Sequence, residues 1–382
     1  MVNLLGRYDS PLLTAVIIFP MVAMVMAIPL LVHNYRRYGS MPLVRTVVVY
    51  SFMFYLLCAY FLVILPLPDV DKVAAYTWKP YNLIPFDYVA AFINESGFRI
   101  ADPSTYKVLW TKMYLLEPLF NIVMMLPFGV YLRYYFKAGW RKVALLGFLL
   151  SLFFELTQLS GLYGAYPRAY RLFDVNDLMD NTTGALLGYA LEPVLLRFLP
   201  DRDRLDEMAY QKGRRVTILR RLIAFSADVM FTIAIMALMY LVAKPPLWVM
   251  IVVPGAAYIV LPLVWDGRTL GKGLVRIRLA DARGGHIKWY QAVAHAVFVD
   301  VWMGGVALLS MFCLPDGQGP ANLMAVMMMA ELASYALLTI DVISAKIDGR
   351  TRLWYEKLLA TENVSTVVEP DQVQETASAA QN

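Results

Sequence analysis

Nine apolar runs constrain this chain more than any other feature. They lie near residues 11–32, 43–65, 115–136, 143–162, 178–199, 222–242, 247–265, 293–314 and 322–343, each long enough to cross about 30 Å of hydrocarbon as a helix. In lipid the backbone has to satisfy its own hydrogen bonds, so runs of this length predict helices rather than loops. The fold expected is all-α, a polytopic transmembrane helical protein of about nine spans. Composition agrees, with 59% hydrophobic residues, 16% charged residues and a mean hydropathy of +0.55, far from a soluble domain. The first run lacks a basic leader and an A-x-A site, and reads as a retained anchor.

The formal charge of +5 does not point to nucleic acid, because in a membrane protein the location of Lys and Arg matters more than their sum. With the N-terminus outside, most of the 34 basic residues fall in inner segments, from Arg36 to Arg45, Arg133 to Lys142, Arg197 to Arg221, Arg268 to Lys288 and Lys346 to Lys357. The positive-inside rule selects that orientation, with the loop around Arg168 outside and Gly284 and the C-terminus in the cytoplasm. The chain divides into a membrane domain at 1–199, a charged cytoplasmic linker at 200–215, a second membrane domain at 216–364 and a disordered tail at 365–382. Basic residues of the linker suit contact with anionic lipid headgroups. The outer segment 66–112 is rich in Tyr, Trp and Phe, which suits either anchoring at the headgroup level or a cover over a cleft.

Metal, disulfide and cofactor chemistry find little support. Cys58 and Cys313 both lie in apolar runs, and His33, His286 and His295 cannot complete a tetrahedral zinc set without carboxylates. No cofactor is expected. GRTLGKG at 267–273 fails as a phosphate loop, being one residue short between its glycines and lacking Ser or Thr after Lys272.

The chemistry concentrates between Ser151 and Tyr189. Glu155 and Gln158 sit inside an apolar run on one helical face, and Asp177, Asn181, Gly184 and Gly188 form a second stripe. Between them lie Arg168, Arg171 and Asp174. A charged side chain at membrane depth costs about 2.5–3.5 kcal/mol on insertion scales, so Glu155 needs a partner. One reading is a polar network tying two helices together. Another is an outward-facing cleft that recognises the head group of an amphiphile or a cation. A third is carboxylate-dependent catalysis, with a hard cation held by Asp174 and Asp177, although no Ser or Cys nucleophile with a matched His stands nearby. Asp174 also suits the N-cap of the following helix, and Gly184-x-x-x-Gly188 suits close helix packing.

In the second half Asp228, Asp300, Glu331 and Asp341 lie within apolar runs, a pattern found along ion or proton pathways. Pairing of Arg221 with Asp228 is the structural alternative. VRIRLADARGGHIKW at 275–289 alternates apolar and basic residues around Gly284 and Gly285, and predicts a small cytoplasmic β-hairpin.

Residues 82–188 resemble the VanZ-like family. NLIPF at 82–86, NIVMMLPFG at 121–129, SLFFELTQL at 151–159, an intervening arginine and FDVNDLMDNTTGALLG at 173–188 follow the family's order. The resemblance implies a protein of the bacterial cytoplasmic membrane, similar to the accessory protein of glycopeptide-resistance clusters that is associated with reduced susceptibility to the lipid-tailed glycopeptide teicoplanin. Membrane lipids, an envelope lipid or such a glycopeptide are the partners implied. Residues from about Arg220 to Val364 resemble the RDD family, named for one Arg and two Asp. Arg221 leads into LIAFSADV, GRTLGKGLVRIRLAD occupies 267–281, and KLLATENV closes the match. Where that family has His-Asp, this chain has Tyr355 and Glu356, which leaves Asp281 and Glu356 as alternatives for the second acidic position. This second resemblance implies transport of a cation or small solute, with Arg221, Asp228 and Asp300 as the candidate residues.

Overall fold

A computed structural model of the chain describes residues 2–110, 113–197, 199–298, 321–348 and 352–367. The fold is helical, with two small two-stranded sheets. It divides into two compact units, one made of Met1–Ala27 and Leu43–Leu205, the other of Ile28–Pro42 and Asp206–Asn382.

The first unit contains most of α1 (Val2–Tyr38), then α2 (Leu43–Ile64), α3 (Val70–Ala74), β1 (Tyr81–Asn82) and α4 (Asp87–Glu95). There follow α5 (Met113–Tyr134), α6 (Trp140–Leu159), the short turn α7 (Gly161–Gly164), β2 (Phe173–Asp174) and α8 (Val175–Leu195). The centre is α5, α6 and α8, and glycine explains how close they come. A Cβ on Gly184 would stand 2.2 Å from Ile122 O, and one on Gly188 would stand 1.9 Å from Leu126 O. Gly129 of α5 answers them, since its Cβ would lie 1.8 Å from Ala185 O. Backbone packs on backbone here, which is the ordinary use of small residues between membrane helices. Around this contact Ala59, Met125, Phe128, Leu132, Val143, Phe154 and Ala185 form the core, with Phe52, Tyr55 and Tyr131 layered against it.

The second unit contains the rest of α1, most of α9 (Arg202–Arg214), α10 (Ile218–Ala243), α11 (Leu247–Val264), α12 (Leu270–Leu274), β3 (Ile277–Asp281) and α13 (Trp289–His295). Beyond these lie α14 (Ala321–Ile347), α15 (Trp354–Leu358) and β4 (Thr361–Ser365). From Asp206 onward α9 packs on the end of α1: Ser40 Oγ donates to Ala209 O at 2.7 Å, and the Tyr38 and Tyr210 rings meet edge to face. Its organising side chain is Arg220, which is wholly buried. Its Nε donates to Val275 O at 2.8 Å, Nη1 to Gly213 O at 2.7 Å and to Ser365 Oγ at 3.3 Å, and Nη2 to Arg276 O at 2.7 Å. A buried guanidinium is tolerable because nearly all its donors find acceptors.

Among the described residues, five helical stretches are long and apolar enough to cross a membrane: Ser10–Tyr38, Leu43–Ile64, Leu115–Tyr134, Trp140–Leu159 and Ile218–Ala243. The runs at 178–199, 247–265 and 322–343 also correspond to helices, α8, α11 and α14, the first carrying four polar residues in its opening turns and the others holding shorter apolar stretches. Most of the run at 293–314 lies outside the described residues. Protein buries 39% of the apolar window of α6 but only 6% of that of α1, so α6 is central and α1 leaves most of its surface to lipid.

One expectation needs correcting. The strand lies where the alternation of 275–281 puts it, but it does not fold back on residues 286–289 as a hairpin. β3 pairs antiparallel with β4, from Ile277 opposite Ser365 to Asp281 opposite Thr361. After β3 the chain makes a tight turn, with Gly284 N donating to Asp281 O, and enters α13. The reason is packing. Ile277 and Leu279 turn inward, and Thr361 and Asn363 supply the matching buried face, which the polar His286–Lys288 stretch lacks. β4 also extends past Glu362, into residues whose composition alone suggests disorder; residues 368–382 lie outside the described part.

Candidate functional site

Helical spacing turns Ser151, Glu155 and Gln158 to one buried face of α6 and Asp177, Asn181 and Gly184 to the facing side of α8. The close approach of α5 at Gly184 and Gly188 brings Asn121 into reach, and its Nδ2 donates to Asp177 Oδ1 at 2.7 Å. Ser151 Oγ donates to the main-chain oxygen of Asp177 at 3.1 Å and accepts from Asn181 Nδ2 at 2.8 Å. The single hydroxyl proton of Ser151 is thus committed, so Asn181 meets it with its nitrogen. Asn181 Oδ1 is left buried with no hydrogen-bond donor among the described residues.

Glu155 is 1% exposed and accepts from the backbone N–H of Asp174 at 2.9 Å. That bond fastens the C-terminal part of α6 to β2. Asp174 then caps α8 from extended backbone at φ −124°, ψ 123°, its Oδ1 accepting from Asn176 N at 2.8 Å. Its charge suits the positive end of the helix.

A parallel ladder of two residues joins the segment between α2 and α5 to this corner, with Tyr81 opposite Phe173 and Asn82 opposite Asp174. Asn82 Nδ2 donates to Asp87 Oδ2 at 2.6 Å and to Asp174 Oδ2 at 3.1 Å. Asn176 Nδ2 reaches Asp87 Oδ1 and Asp174 Oδ1, each at 2.9 Å, while its Oδ1 takes the N–H of Phe86 at 2.6 Å. Phe86 is held at φ 59°, a left-handed conformation that costs a bulky side chain energy and that the Asn176 bond helps to fix. Two amides therefore bridge two carboxylates that would otherwise repel. Beside them Tyr88 Oη donates to Asp180 Oδ1 at 3.5 Å. Partial burial, and next the negative charge of Asp180, hold the Tyr88 phenol above its ordinary pKa.

These elements enclose a cavity of about 670 Å³. Glu117, Asn121, Glu155, Gln158, Arg171, Asp174, Asp177 and Asn181 form its polar wall. Tyr55, Cys58, Leu62, Phe120, Val123, Met124 and Pro127, with Leu12 of α1, form its apolar wall. Of the seven residues singled out from the sequence, six line this space. Arg171 Nη1 donates to Val63 O at 2.7 Å, and Gln158 Nε2 donates to the same oxygen at 3.0 Å. Both satisfy a carbonyl in the last turn of α2, where a cation is also favoured by the helix dipole. Arg168 is the exception. It turns to the segment between α2 and α5, donating from Nη2 to Trp78 O at 2.9 Å with its guanidinium 5.7 Å from the Trp78 ring centre.

Sequence reasoning passed over Glu117, Asn121, Ser151, Asn82, Asp87 and Asn176. The asparagines carried the available signal, since Asn82, Asn121 and Asn176 lie within the three ordered motifs NLIPF, NIVMMLPFG and FDVND.

In the second unit two of the three candidate residues, Asp228 and Arg221, are among those described. Asp228 Oδ2 accepts from Thr269 Oγ1 and its Oδ1 from Gly271 N, both at 2.6 Å, so this carboxylate holds the start of α12 against α10. Arg221 Nη1 meets Glu356 Oε2, and of the two alternatives for the second acidic position it is Glu356 that faces the arginine. Asp281 instead accepts from Arg283 N at 2.9 Å within the turn after β3. Asp300 lies outside the described residues.

Residues 52–196 match the VanZ/LLP1 family and residues 215–358 match the RDD family. No curated relative and no solved structure matches the chain.

Proposed function

From a membrane protein that joins a VanZ/LLP1 domain to an RDD family domain, we propose that the first unit binds an amphiphile of the cell envelope. The head group lies against the carboxylates of α5, α6 and α8, and the chain lies along α2 and α5. The observation that carries this reading is the division of one cavity into a charged wall and an apolar wall. Its volume of about 670 Å³ suits a small amphiphile or one end of a larger one. Because the surrounding lipid is as apolar as the wall, the chain contributes fit more than hydrophobic energy, and selectivity falls to the head group.

The distribution of Lys and Arg supports an N-terminus outside the cytoplasmic membrane, with the polar end of the cavity toward the outer face. A lipid-tailed glycopeptide of the teicoplanin type, with a polar head and an acyl tail, is the drug-like ligand the family resemblance brings to this site. The test is a susceptibility panel of tailed and untailed glycopeptides on strains with the wild-type gene, a deletion or Glu155→Gln, with membrane levels measured in each. Gln at 155 keeps an oxygen to accept from Asp174 N–H, so the corner holds while the charge goes. Loss of the phenotype at an unchanged protein level, for tailed compounds only, is expected. Full activity per molecule in Glu155→Gln removes the cavity from the function.

A further inference from the structure

The polar wall of the cavity is unbalanced in a way that specifies the ligand. Its carboxyls are Glu117, Glu155, Asp174 and Asp177, against a single guanidinium, that of Arg171. The donors on the same wall already serve the protein: Asn121 Nδ2 is on Asp177, while Gln158 Nε2 and Arg171 Nη1 converge on Val63 O. What remains is acceptor capacity. Independently of the acids, Asn181 is 3% exposed, lines the cavity and has an Oδ1 that finds no donor among the described residues. A buried amide oxygen left in that state is unfavourable, and a donor from a ligand relieves it.

We propose that the head group taken by this cavity is a primary ammonium on an alkyl chain. This rests on the amphiphile reading above and narrows it. An ammonium brings three N–H donors and one positive charge to a wall of carboxylates and one bare amide oxygen. A phosphate or sulfate head offers only acceptors and is repelled. A quaternary ammonium carries the charge without donors and leaves Asn181 Oδ1 unmet.

Cys58 lines the same cavity and supplies the readout. The full-length protein is placed in phosphatidylcholine nanodiscs and loaded with dodecylamine, dodecyltrimethylammonium or dodecyl phosphate at equal bilayer fraction. Alkylation of Cys58 by N-ethylmaleimide is followed by peptide mass spectrometry against Cys313 in the same sample, and a thermal-unfolding series gives a second readout. Dodecylamine is expected to slow Cys58 alkylation roughly tenfold and to raise the unfolding temperature, as a charge-assisted set of hydrogen bonds implies. Dodecyl phosphate is expected to do neither. Asn181→Leu loses much of the protection and Asn181→Asp retains it, which separates loss of the acceptor from loss of the fold. Equal protection by the trimethylammonium compound, or better protection by the phosphate, overturns the ammonium assignment while leaving an amphiphile site intact. No effect on either readout from any of the three overturns both readings.

Discussion

Arg221 Nη1 stands 2.6 Å from Glu356 Oε2, joining α10 to α15 across 135 positions of sequence. The Glu356 side chain is fully buried and also accepts from Leu353 N at 2.9 Å and, through Oε1, from Asn363 Nδ2 at 2.6 Å. One carboxylate thus organises α15, the start of β4 and the arginine. Removing it strips acceptors from three buried donors at once. Glu356→Ala is expected to cost about 3–5 kcal/mol, the usual penalty for breaking a buried ion pair. Glu356→Asp keeps the charge but shortens the reach and is expected to fall between. Denaturant unfolding of the purified protein in detergent measures both; an alanine variant as stable as the wild type contradicts the assignment.

Asp228 holds α12 with both oxygens. Asn at that position keeps one acceptor, and if Gly271 N–H takes it, the new amide nitrogen faces the Thr269 hydroxyl, which can reverse its role. The loss expected for Asp228→Asn is therefore about 1–3 kcal/mol rather than collapse. Asp228→Ala, which leaves the Gly271 N–H buried and unmet, is expected to lose more. The same denaturant unfolding ranks the two, and the reverse order is incompatible with the clamp.

Glycine packing predicts a sharp contrast between positions. Gly188→Ala sets a methyl against the Leu126 carbonyl and forces α5 and α8 apart, at a cost of about 1–3 kcal/mol. Gly255→Ala in α11 meets nothing within 4 Å and is expected to be neutral or slightly stabilising. Equal effects of the two substitutions dispose of the close-contact account.

Orientation is open to direct labelling. Ile100 is 82% exposed in the segment between α2 and α5, and the His286 side chain is 88% exposed in the turn after β3. Cysteines at these positions, in a background lacking Cys58 and Cys313, are expected to react with an impermeant reagent on intact cells at 100 and only after lysis at 286. The opposite pattern inverts the membrane orientation.

The helices and the acidic heart of the cavity were legible because membrane depth makes charge conspicuous. A Glu155 inside an apolar run demands an explanation, and spacing alone aligns it with Gln158. Neutral amides give no such alarm, so Asn82, Asn121 and Asn176 escaped notice although they hold the carboxylates in place. Adjacent residues of like type defeat sequence reasoning in another way. Arg220 and Arg221 look alike in the string, yet the rotation of about 100° between neighbours on a helix sends the first into a cage of carbonyls and the second to Glu356. The partner of β3 was hidden for a different reason. Alternation announces a strand and its buried face, but it does not name the distant segment that covers it.

The pairing of β3 with β4 also orders events in the life of the chain. Arg220 is made early in the second unit, while Ser365, which takes one of its hydrogen bonds, and the strand that covers Ile277 and Leu279 leave the ribosome much later. Until then a guanidinium and an apolar edge stand open at the membrane surface, available to chaperones and proteases. A chain cut before Thr361 keeps every long apolar helix and so still inserts, but it never closes that edge. Quality control can therefore sense closure of the second unit from a five-residue strand, and a chain truncated before Thr361 is expected to reach far lower membrane abundance than one truncated after Val367.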